Sequence, residues 1–370
     1  MLDHFRKRLD SFLGRGSFST SVPVMDGPLQ PNHRLDEAAV LFSANGLDNL
    51  LADGDTVFYS AGPVLFMRAA DGAVSEVRRF DADIACLAMA RDGGMAVGLD
   101  GAGIVISGGA FDGTEISRLG DKLLIAPTAA AFVDRKTLLV ASGSSQCPAS
   151  QWKRDLMSLG TTGSLWRVDL TSGKAETLAT GLAFPYGLAL SPDGRSVLVS
   201  EAWAHRVVRV ALDGARPAVS PVLQDLPGYP ARLVPDEDGG YWLAVFAPRN
   251  QLVEFVLREK AYRERMMAEV DPEYWVAPSL AIKQGFREPT QNGALKLLGI
   301  LKPWAPTFSY GLVVRLNADG HPVDSLHSRA DGNRHGITSL CLFNGTLVAG
   351  SKGAGEALMP TAQKATGGDA

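Results

Sequence analysis

A short pattern of strand, tight turn and strand recurs along the chain, and it constrains the fold more than any other feature. The clearest copy is 186–200, YGLALSPDGRSVLVS, in which an S-P-D-G turn separates two runs of mostly apolar residues. Asp-Gly and Asn-Gly pairs between such runs are the strongest short-range signal for a β-hairpin. Related segments lie at 48–60, 86–99, 128–142, 231–245 and 338–351.

Most of these hairpins are followed by a second one, as in 163–179 and 205–223. Each unit is therefore predicted to be a sheet of about four antiparallel strands, which cannot bury both of its faces alone. Six such units bury their faces by stacking into a closed ring. The sequence thus predicts an all-β, six-bladed β-propeller over 17–356, and we expect a segment within 17–45 to supply the outer strand that closes the ring.

Three segments depart from the repeat. Residues 1–16 are predicted to form an N-terminal helix, and the apolar and basic residues of 1–14 are typical of an amphipathic helix that packs on the body or contacts a membrane. The long gap between the last two repeats predicts a helical insertion at about 257–307, which includes the stretch 292–304 and could cover one mouth of the channel. Residues 357–370 are predicted to be a flexible tail.

Composition narrows the class of protein. The chain has 370 residues, of which 46% are hydrophobic and 21% charged, as in a globular protein. A net charge of −4 indicates no nucleic-acid partner. The three cysteines, without C-x-x-C spacing, argue against a disulfide framework or a zinc site. With neither a signal-peptide pattern nor a long apolar run, we expect a cytoplasmic monomer or homodimer that binds a small molecule.

The innermost strands of a propeller line its central channel, so the residues that open these strands converge on one spot, the hub. Such a ring collects side chains that lie far apart in sequence, and it is a common place for a ligand. Alignment of the repeats predicts one hub residue per blade: Asp48, Cys86, Thr128, Tyr186, Ala231 and Thr338.

Several segments carry a resemblance to a known family. Residues 152–169, 184–210, 226–246 and 310–340 resemble the strictosidine synthase-like family, which includes the adipocyte plasma membrane-associated protein-like chains. Gluconolactonases and paraoxonases are more distant members of the same superfamily. The resemblance covers roughly 40–351, and it implies a six-bladed propeller whose chemistry takes place in the central channel.

The resemblance also implies where a metal would bind. In the gluconolactonase and paraoxonase relatives, a divalent cation such as calcium is held by an acidic residue of the first blade and by Asn, Asn and Asp of the third, fourth and fifth. The corresponding positions here are Asp48, Thr128, Tyr186 and Ala231. Only the first still suits a hard cation, so the resemblance predicts a degenerate site. A cation held by Asp48, Asn49 and backbone carbonyls stays open.

Two residues of the last repeat bear on catalysis. In strictosidine synthase a glutamate of the sixth blade is the acid/base of an amine–aldehyde condensation, and Thr338 stands at that position. A threonine hydroxyl cannot exchange a proton near neutral pH, which argues against condensation. His335 could be a general base, or it could be a structural histidine that donates to a backbone carbonyl.

Side chains outside the ring are further candidates. Glu201 follows the second strand of the fourth repeat, and we expect it to hold its surroundings together through hydrogen bonds. The tryptophans could line an apolar pocket or fill the blades. Those considered are Trp152, Trp203, Trp275 and Trp304.

These observations leave three hypotheses. The first is a hydrolase of the lactonase or arylesterase type that acts on a small apolar ester or lactone, with Asp48 and His335 as catalytic residues. The second is a propeller that binds a small molecule without hydrolysing it, and the third is a condensing enzyme. The predicted substrate-binding residues are Asn49, Cys86, Thr128, Tyr186, Arg232 and Thr338.

Overall fold

The computed structural model describes residues 22–213, 218–282 and 307–361, together with the backbone of 296–297 and 300–301. It contains six four-stranded antiparallel sheets, which confirms the predicted six-bladed propeller. From the hub outward, blade 1 consists of Leu47–Asp53, Thr56–Ala61, Val64–Arg68 and Val74–Arg79, and blade 2 of Ile84–Met89, Met95–Leu99, Gly103–Ser107 and Glu115–Ile116. Blade 3 consists of Pro127–Phe132, Thr137–Ser142, Gly163–Asp169 and Ala175–Leu182, and blade 4 of Pro185–Leu190, Ser196–Glu201, Arg206–Ala211 and Val219–Leu223. Blade 5 consists of Gly228–Pro235, Tyr241–Pro248, Gly311–Leu316 and Pro322–Ser328, and blade 6 of Ile337–Phe343, Thr346–Ser351, Glu356–Met359 and Ala39–Ser43.

Burial falls from the middle of each blade to its rim. The second strand of blade 4, Ser196–Glu201, is buried at every position after its first residue, because neighbouring blades cover both of its faces. The outermost strand of blade 1, Val74–Arg79, is exposed throughout. Turn glycines join the strands, and Gly54 and Gly194 have φ of +52° and +68°, which favour glycine. The apolar runs noted in the sequence are thus the second strands of the blades.

Blade 6 is completed by a strand from the start of the described chain, as the sequence predicted. Ala39–Ser43 pairs with Glu356–Met359, with Ala39 opposite Met359 and Val40 opposite Leu358. This pairing closes the ring by hydrogen bonds between the two ends of the propeller. It also corrects the predicted tail boundary at 357, since Ala357 and Leu358 are fully buried strand residues.

The insertion of blade 5 begins earlier than the predicted 257. Helix α2, Gln251–Arg258, and helix α3, Lys260–Glu269, follow the second strand directly, and a 3-10 turn at Pro272–Tyr274 comes next. Asn250 starts α2 because its side-chain oxygen accepts a hydrogen bond from the Val253 amide at 2.9 Å. The Asn250 amide also donates to the Thr307 carbonyl at 3.0 Å, which ties the two ends of the insertion together.

The remaining elements are short. A loop within blade 3 carries helix α1, Trp152–Met157, after a 3-10 turn at Ala149–Gln151. The stretch 292–304, predicted as helical, instead contains a two-stranded ladder between Lys296–Leu297 and Ile300–Leu301. No helix in the described ranges is long and apolar enough to cross a membrane, and the predicted helix at 1–16 lies outside them. Other short elements are the 3-10 turns Gly27–Leu29 and Gly109–Phe111 and the hairpin of Arg118–Leu119 with Lys122–Leu123.

Candidate functional site

Each of the hub residues predicted from the repeat lies in the innermost strand of its blade. The strands bring Asp48, Thr128 and Tyr186 to one cavity of about 240 Å³ on the face where these strands begin. We call this space the hub cavity. Its other charged lining residues are Asp83, Asp100 and Lys352.

An ion cluster closes the inner end of the hub cavity. The Oδ1 atom of Asp48 accepts hydrogen bonds from Arg232 Nη1 at 3.0 Å and from the Thr338 hydroxyl at 2.8 Å. The Oδ2 atom of Asp48 accepts a third from Lys352 Nζ at 2.9 Å. Asp48, Arg232, Thr338 and Lys352, here called the hub cluster, therefore join blades 1, 5 and 6 across the channel.

Arg232 extends this connection to blade 2. Its Nη2 atom donates to the Ala85 carbonyl at 2.6 Å, and its Nη1 atom donates a second bond, to the Thr338 carbonyl, at 3.1 Å. The guanidinium carbon lies 5.1 Å from the centre of the Tyr186 ring, close enough for a cation–π contact. The guanidinium is thus a structural cation whose donors are directed at the walls of the channel.

Opposite charges in the hub cluster favour one another's ionised forms. Burial by itself raises the pKa of Asp48, but the charges of Lys352 and Arg232 outweigh it and hold that pKa well below its usual range. The Asp48 charge in turn raises the pKa of Lys352, against the effect of burial. Burial and the charge of Asp48 raise the pKa of Tyr186, so its phenol stays protonated.

Aromatic side chains form one side of the hub cavity. Phe184 and Trp203 stack with ring centres 4.6 Å apart. The rings of Tyr186 and Trp152 are each in edge-to-face contact with Phe246, with ring centres 5.8 and 5.5 Å apart. Their edge-to-face and stacked arrangements are the favourable ones for aromatic pairs. The hub cavity thus combines an apolar, ring-lined wall with a charged inner end.

One of these aromatic residues is held by a buried carboxylate. Trp203 Nε1 donates to Asp155 Oδ2 at 2.8 Å, and Asp155 lies in helix α1 with 2% of its surface exposed. A Cβ on Gly160 would lie 2.1 Å from Asp155 Oδ2, so a larger residue at this position would have to displace the buried carboxylate. The blade 3 loop therefore supports the wall as well as contributing Trp152.

The insertion covers part of the mouth, as the sequence suggested. Leu280 lies just after the insertion helices and lines the hub cavity. Its carbonyl oxygen packs against blade 6, where a Cβ would lie 2.0 Å away on Gly353 and 2.4 Å away on Gly336. Only glycine allows this approach, so these two positions determine where the covering segment lies.

We expect Gly353→Ala to displace the Leu280 segment. The added methyl group must push the backbone away, at a cost of about 1–3 kcal/mol for an overpacked contact. Thermal unfolding and the affinity of a cavity ligand measure the two effects. Unchanged values for both would show that the Leu280 contact does not shape the mouth.

His335 is buried but lines neither the hub cavity nor the channel behind it. Its Nδ1 atom contacts the Ser309 hydroxyl at 2.9 Å and its Nε2 atom contacts the Arg329 carbonyl at 2.8 Å. Burial lowers the pKa of His335, which keeps the ring neutral. Because both ring nitrogens are engaged away from the hub cavity, the structural alternative describes His335 better than the role of general base.

Three other predicted residues also differ from their expected places. Cys86 faces the opposite side of the hub cluster, where it lines an apolar channel of about 470 Å³, and burial raises the pKa of its thiol to about 11. Asn49 donates its amide to the Ser60 hydroxyl and the Ile84 carbonyl at 2.7 and 2.9 Å. The Thr338 hydroxyl, predicted to bind substrate, donates to Asp48 and is not among the residues that line the hub cavity. Thr128, by contrast, lines the hub cavity as predicted.

The outcomes outside the ring are mixed. Glu201 is fully buried, and it accepts hydrogen bonds from the Ala183 amide at 2.8 Å and from Arg206 Nε at 2.6 Å, which is the structural role expected of it. Trp275 packs under the insertion, where its indole donates to the Val270 carbonyl. Trp304 lies outside the described residues.

The sequence analysis missed Lys352. It follows the second strand of blade 6 directly, in S-K-G-A-G-E, just as Glu201 ends the second strand of blade 4. The feature that could have identified Lys352 in the sequence is therefore a charged residue at the end of, or directly after, the second strand of a blade. The repeat alignment considered only the first strands, so it passed over this position.

Comparisons with known proteins agree with the resemblance. The family model described as Strictosidine synthase matches residues 121–215. The adipocyte plasma membrane-associated protein of Rattus norvegicus is 29% identical over 293 residues, which cover 70% of this chain and 76% of that protein. Strictosidine synthase-like 10 of Arabidopsis thaliana is 29% identical over 117 residues, 32% of this chain and 31% of that protein. The predicted relationship to the strictosidine synthase-like family is confirmed.

Solved structures share the fold of this propeller. A gluconolactonase from Xanthomonas campestris superposes with a TM-score of 0.56 at 15% identity, covering 91% of this chain and 96% of that one. A calcium-binding protein, regucalcin, from Agrobacterium tumefaciens gives 0.51 at 13% identity, covering 87% and 92%. At such identities the likeness shows the architecture only.

The hub of this propeller does not fit a divalent cation. Both oxygens of Asp48 already accept from protein donors, and Arg232 and Lys352 place two positive charges about 3 Å from them. Within the described ranges, no three acidic, histidine or cysteine side chains are grouped to hold a metal ion. A divalent ion at Asp48 would displace these cations and be repelled by them.

Proposed function

We propose that the hub cavity binds and hydrolyses a small ester or lactone with an apolar, ring-bearing body, and that the protein's own cations take the place of a metal. The observation that carries this proposal is the position of Lys352, whose ammonium group lines the hub cavity beside the aromatic wall. Asp48 holds that ammonium group in place from behind. A fixed donor of this kind can polarise a carbonyl group.

The reaction itself follows from this arrangement. Water adds to the acyl carbon, and negative charge develops on the carbonyl oxygen, where Lys352 Nζ stabilises it. The bond to the alcohol oxygen then breaks, the alcohol takes one of the two protons of the water, the other proton passes to the solvent, and the acid is left as a carboxylate. In this proposal Asp48 is a positioning residue, because its carboxylate is engaged by Lys352, Arg232 and Thr338.

One observation favours the second candidate, binding without turnover. None of the described hub residues offers a proton acceptor that titrates near neutral pH. The pKa of Asp48 is held low by Lys352 and Arg232 despite burial, and burial raises the pKa of the Tyr186 phenol and of the Cys86 thiol. General-base assistance commonly contributes a factor of about 10²–10⁴, so its loss would leave a slow hydrolase or a binding protein.

We expect slow hydrolysis of aryl esters and lactones that persists with excess chelator. Lys352→Met should lower kcat/KM by about 10²–10³-fold, as the loss of one oxyanion donor does. The rate should show no inflection between about pH 5 and pH 9, because Asp48 stays ionised and Lys352 stays protonated over that range.

Lys174→Met is the control, since Lys174 is exposed in a turn of blade 3 far along the chain from the hub cluster. A rate that disappears with chelator would reinstate a metal mechanism. Turnover that survives Lys352→Met would remove Lys352 from the mechanism. Binding of these compounds without any turnover would establish the second candidate.

A further inference from the structure

The charges of the hub cluster do not balance. Arg232 and Lys352 carry two positive charges, and Asp48 is the carboxylate that both contact. Tyr186, which faces Arg232, stays neutral because its pKa is raised by burial and by the Asp48 charge. One positive charge is therefore left at the inner end of a cavity whose wall is largely aromatic.

Lys352 is the cation that a ligand can reach. Its side chain is 38% exposed and lines the hub cavity, whereas that of Arg232 is 13% exposed and bonds to Asp48 and two backbone carbonyls. An ammonium group has three N–H donors. Among the described residues, the acceptor in contact with Lys352 Nζ is Asp48 Oδ2, so donors remain for a ligand in the cavity.

The other carboxylates of the hub cavity do not supply the missing negative charge. Asp83 is exposed to solvent, and Asp100 accepts a hydrogen bond from the Ser150 amide at 3.1 Å. Neither contacts Lys352 in the described part of the chain. Charges that face water are screened over short distances, so they offset the partly exposed Lys352 ammonium group only weakly.

We propose that the hub cavity is a carboxylate site, in which Lys352 Nζ binds the carboxylate of a ring-bearing acid while the aromatic wall of Phe184, Tyr186, Trp203 and Phe246 receives the ring. Aromatic packing and a charge-assisted hydrogen bond act on opposite ends of such a ligand. The size of the hub cavity suits a compact acid with a single ring.

This inference rests on the proposed function for its biological meaning, because the carboxylate carbon of the acid is the acyl carbon of the ester. When the ester bond breaks, the acid is left with its new carboxylate on Lys352 and its ring against the aromatic wall. The acid half of the substrate is therefore the half that the cavity retains. Ring-bearing acids should accordingly compete with the substrate, whereas the alcohol product should not.

Binding of benzoate and of its neutral isostere benzamide to the full chain tests the proposal by calorimetry. The two probes share ring and shape, so their difference reports the charge. We expect benzoate to bind at least 10-fold more tightly than benzamide, and acetate, which lacks the ring, to bind more weakly than benzoate. Equal affinities for benzoate and benzamide, or no binding of either at millimolar concentration, would overturn the inference.

Three variants assign the effect to Lys352. Lys352→Met should remove the preference for benzoate, so that the two probes bind with similar affinity, and Lys352→Arg should keep most of the preference because the charge is retained. The exposed Lys174→Met is the matched control for the loss of one positive charge. A benzoate preference that survives Lys352→Met would show that another cation is responsible, and thermal melts confirm that each variant is folded.

The inference and the proposed hydrolysis can fail separately. Benzoate binding through Lys352 without turnover of any ester leaves the carboxylate site intact and removes the hydrolase. Turnover without a preference for benzoate leaves the hydrolase and removes the carboxylate site. Competition of benzoate with an ester substrate, lost in Lys352→Met, would support both.

Discussion

Asp48→Ala should destabilise the protein by about 3–5 kcal/mol, the cost of removing one partner of a buried ion pair. The side chain of Asp48 is 7% exposed, and its loss leaves the Arg232 guanidinium enclosed without a counter-charge. The Thr338 hydroxyl loses its acceptor as well. Urea unfolding measures the change directly.

The size of this effect depends on burial, and the chain offers a control. Asp324 pairs with Arg34 at 2.7 Å but is 40% exposed, so Asp324→Ala should cost no more than about 1 kcal/mol. Removing both partners, in Asp48→Ala/Arg232→Met, should restore part of the stability lost in Asp48→Ala, because the buried guanidinium is removed together with its counter-charge. A loss below about 1 kcal/mol for Asp48→Ala would mean that the hub cluster does not hold the blades together.

Acidification should weaken the fold between about pH 6.5 and pH 4, and the loss should begin above the usual pKa range of carboxylates. Burial lowers the pKa of His205 to about 3 and that of His327 to about 4, and it lowers the pKa of His335 as well. All three rings are neutral in the folded protein at neutral pH. The 3.7 Å contact of His205 Nε2 with Glu254 is therefore not an ion pair at that pH.

The sign follows from comparing the folded and unfolded chains. Each histidine has a lower pKa when folded than the value of about 6.5 expected when unfolded, so the unfolded chain takes up protons first as the pH falls. The stabilisation is complete above that value and is lost progressively toward the folded pKa. Each histidine contributes a slope of about 1.4 kcal/mol per pH unit within this window.

Urea unfolding at pH 7, 6 and 5 tests this expectation. His327→Gln should reduce the slope of the unfolding free energy against pH by the contribution of one proton, because glutamine does not titrate. Glutamine can still bond to the Tyr310 and Ser325 hydroxyls that contact the ring at 3.0 and 2.8 Å, so the variant should remain folded. His321 is exposed, so His321→Gln should leave the slope as it is. A free energy of unfolding that does not change from pH 7 to pH 5 would contradict the assignment of neutral, buried rings.

The repeat in the sequence predicted the architecture because a blade is a local object. Asp-Gly turns and short apolar strands reveal themselves within about fifteen residues, and a four-stranded sheet with two apolar faces has few ways to bury both. The same reasoning identified the innermost strands and placed Asp48, Thr128 and Tyr186 at one spot. It also anticipated the closing strand, found at Ala39–Ser43.

The site was less predictable because its contacts join residues from opposite ends of the chain. Lys352 and Asp48 are 304 positions apart, and nothing in the local pattern of either one signals the other. His335 was singled out for its chemistry, yet its neighbours Ser309 and Arg329 occupy both ring nitrogens. The chemistry of a side chain is visible in a sequence, whereas its partners are not.

The sequence by itself determined the six blades and the residues that open their inner strands, and the resemblance to metal-binding relatives implied that these residues depart from a metal-binding set. Tertiary structure alone decided which charges meet at the hub. Ring closure brings Lys352 and Arg232 onto one carboxylate, and the strength of such contacts depends on distance and burial, which periodicity does not encode. The cation at the centre of this propeller is therefore part of the chain, and it was recognisable only once the ring was closed.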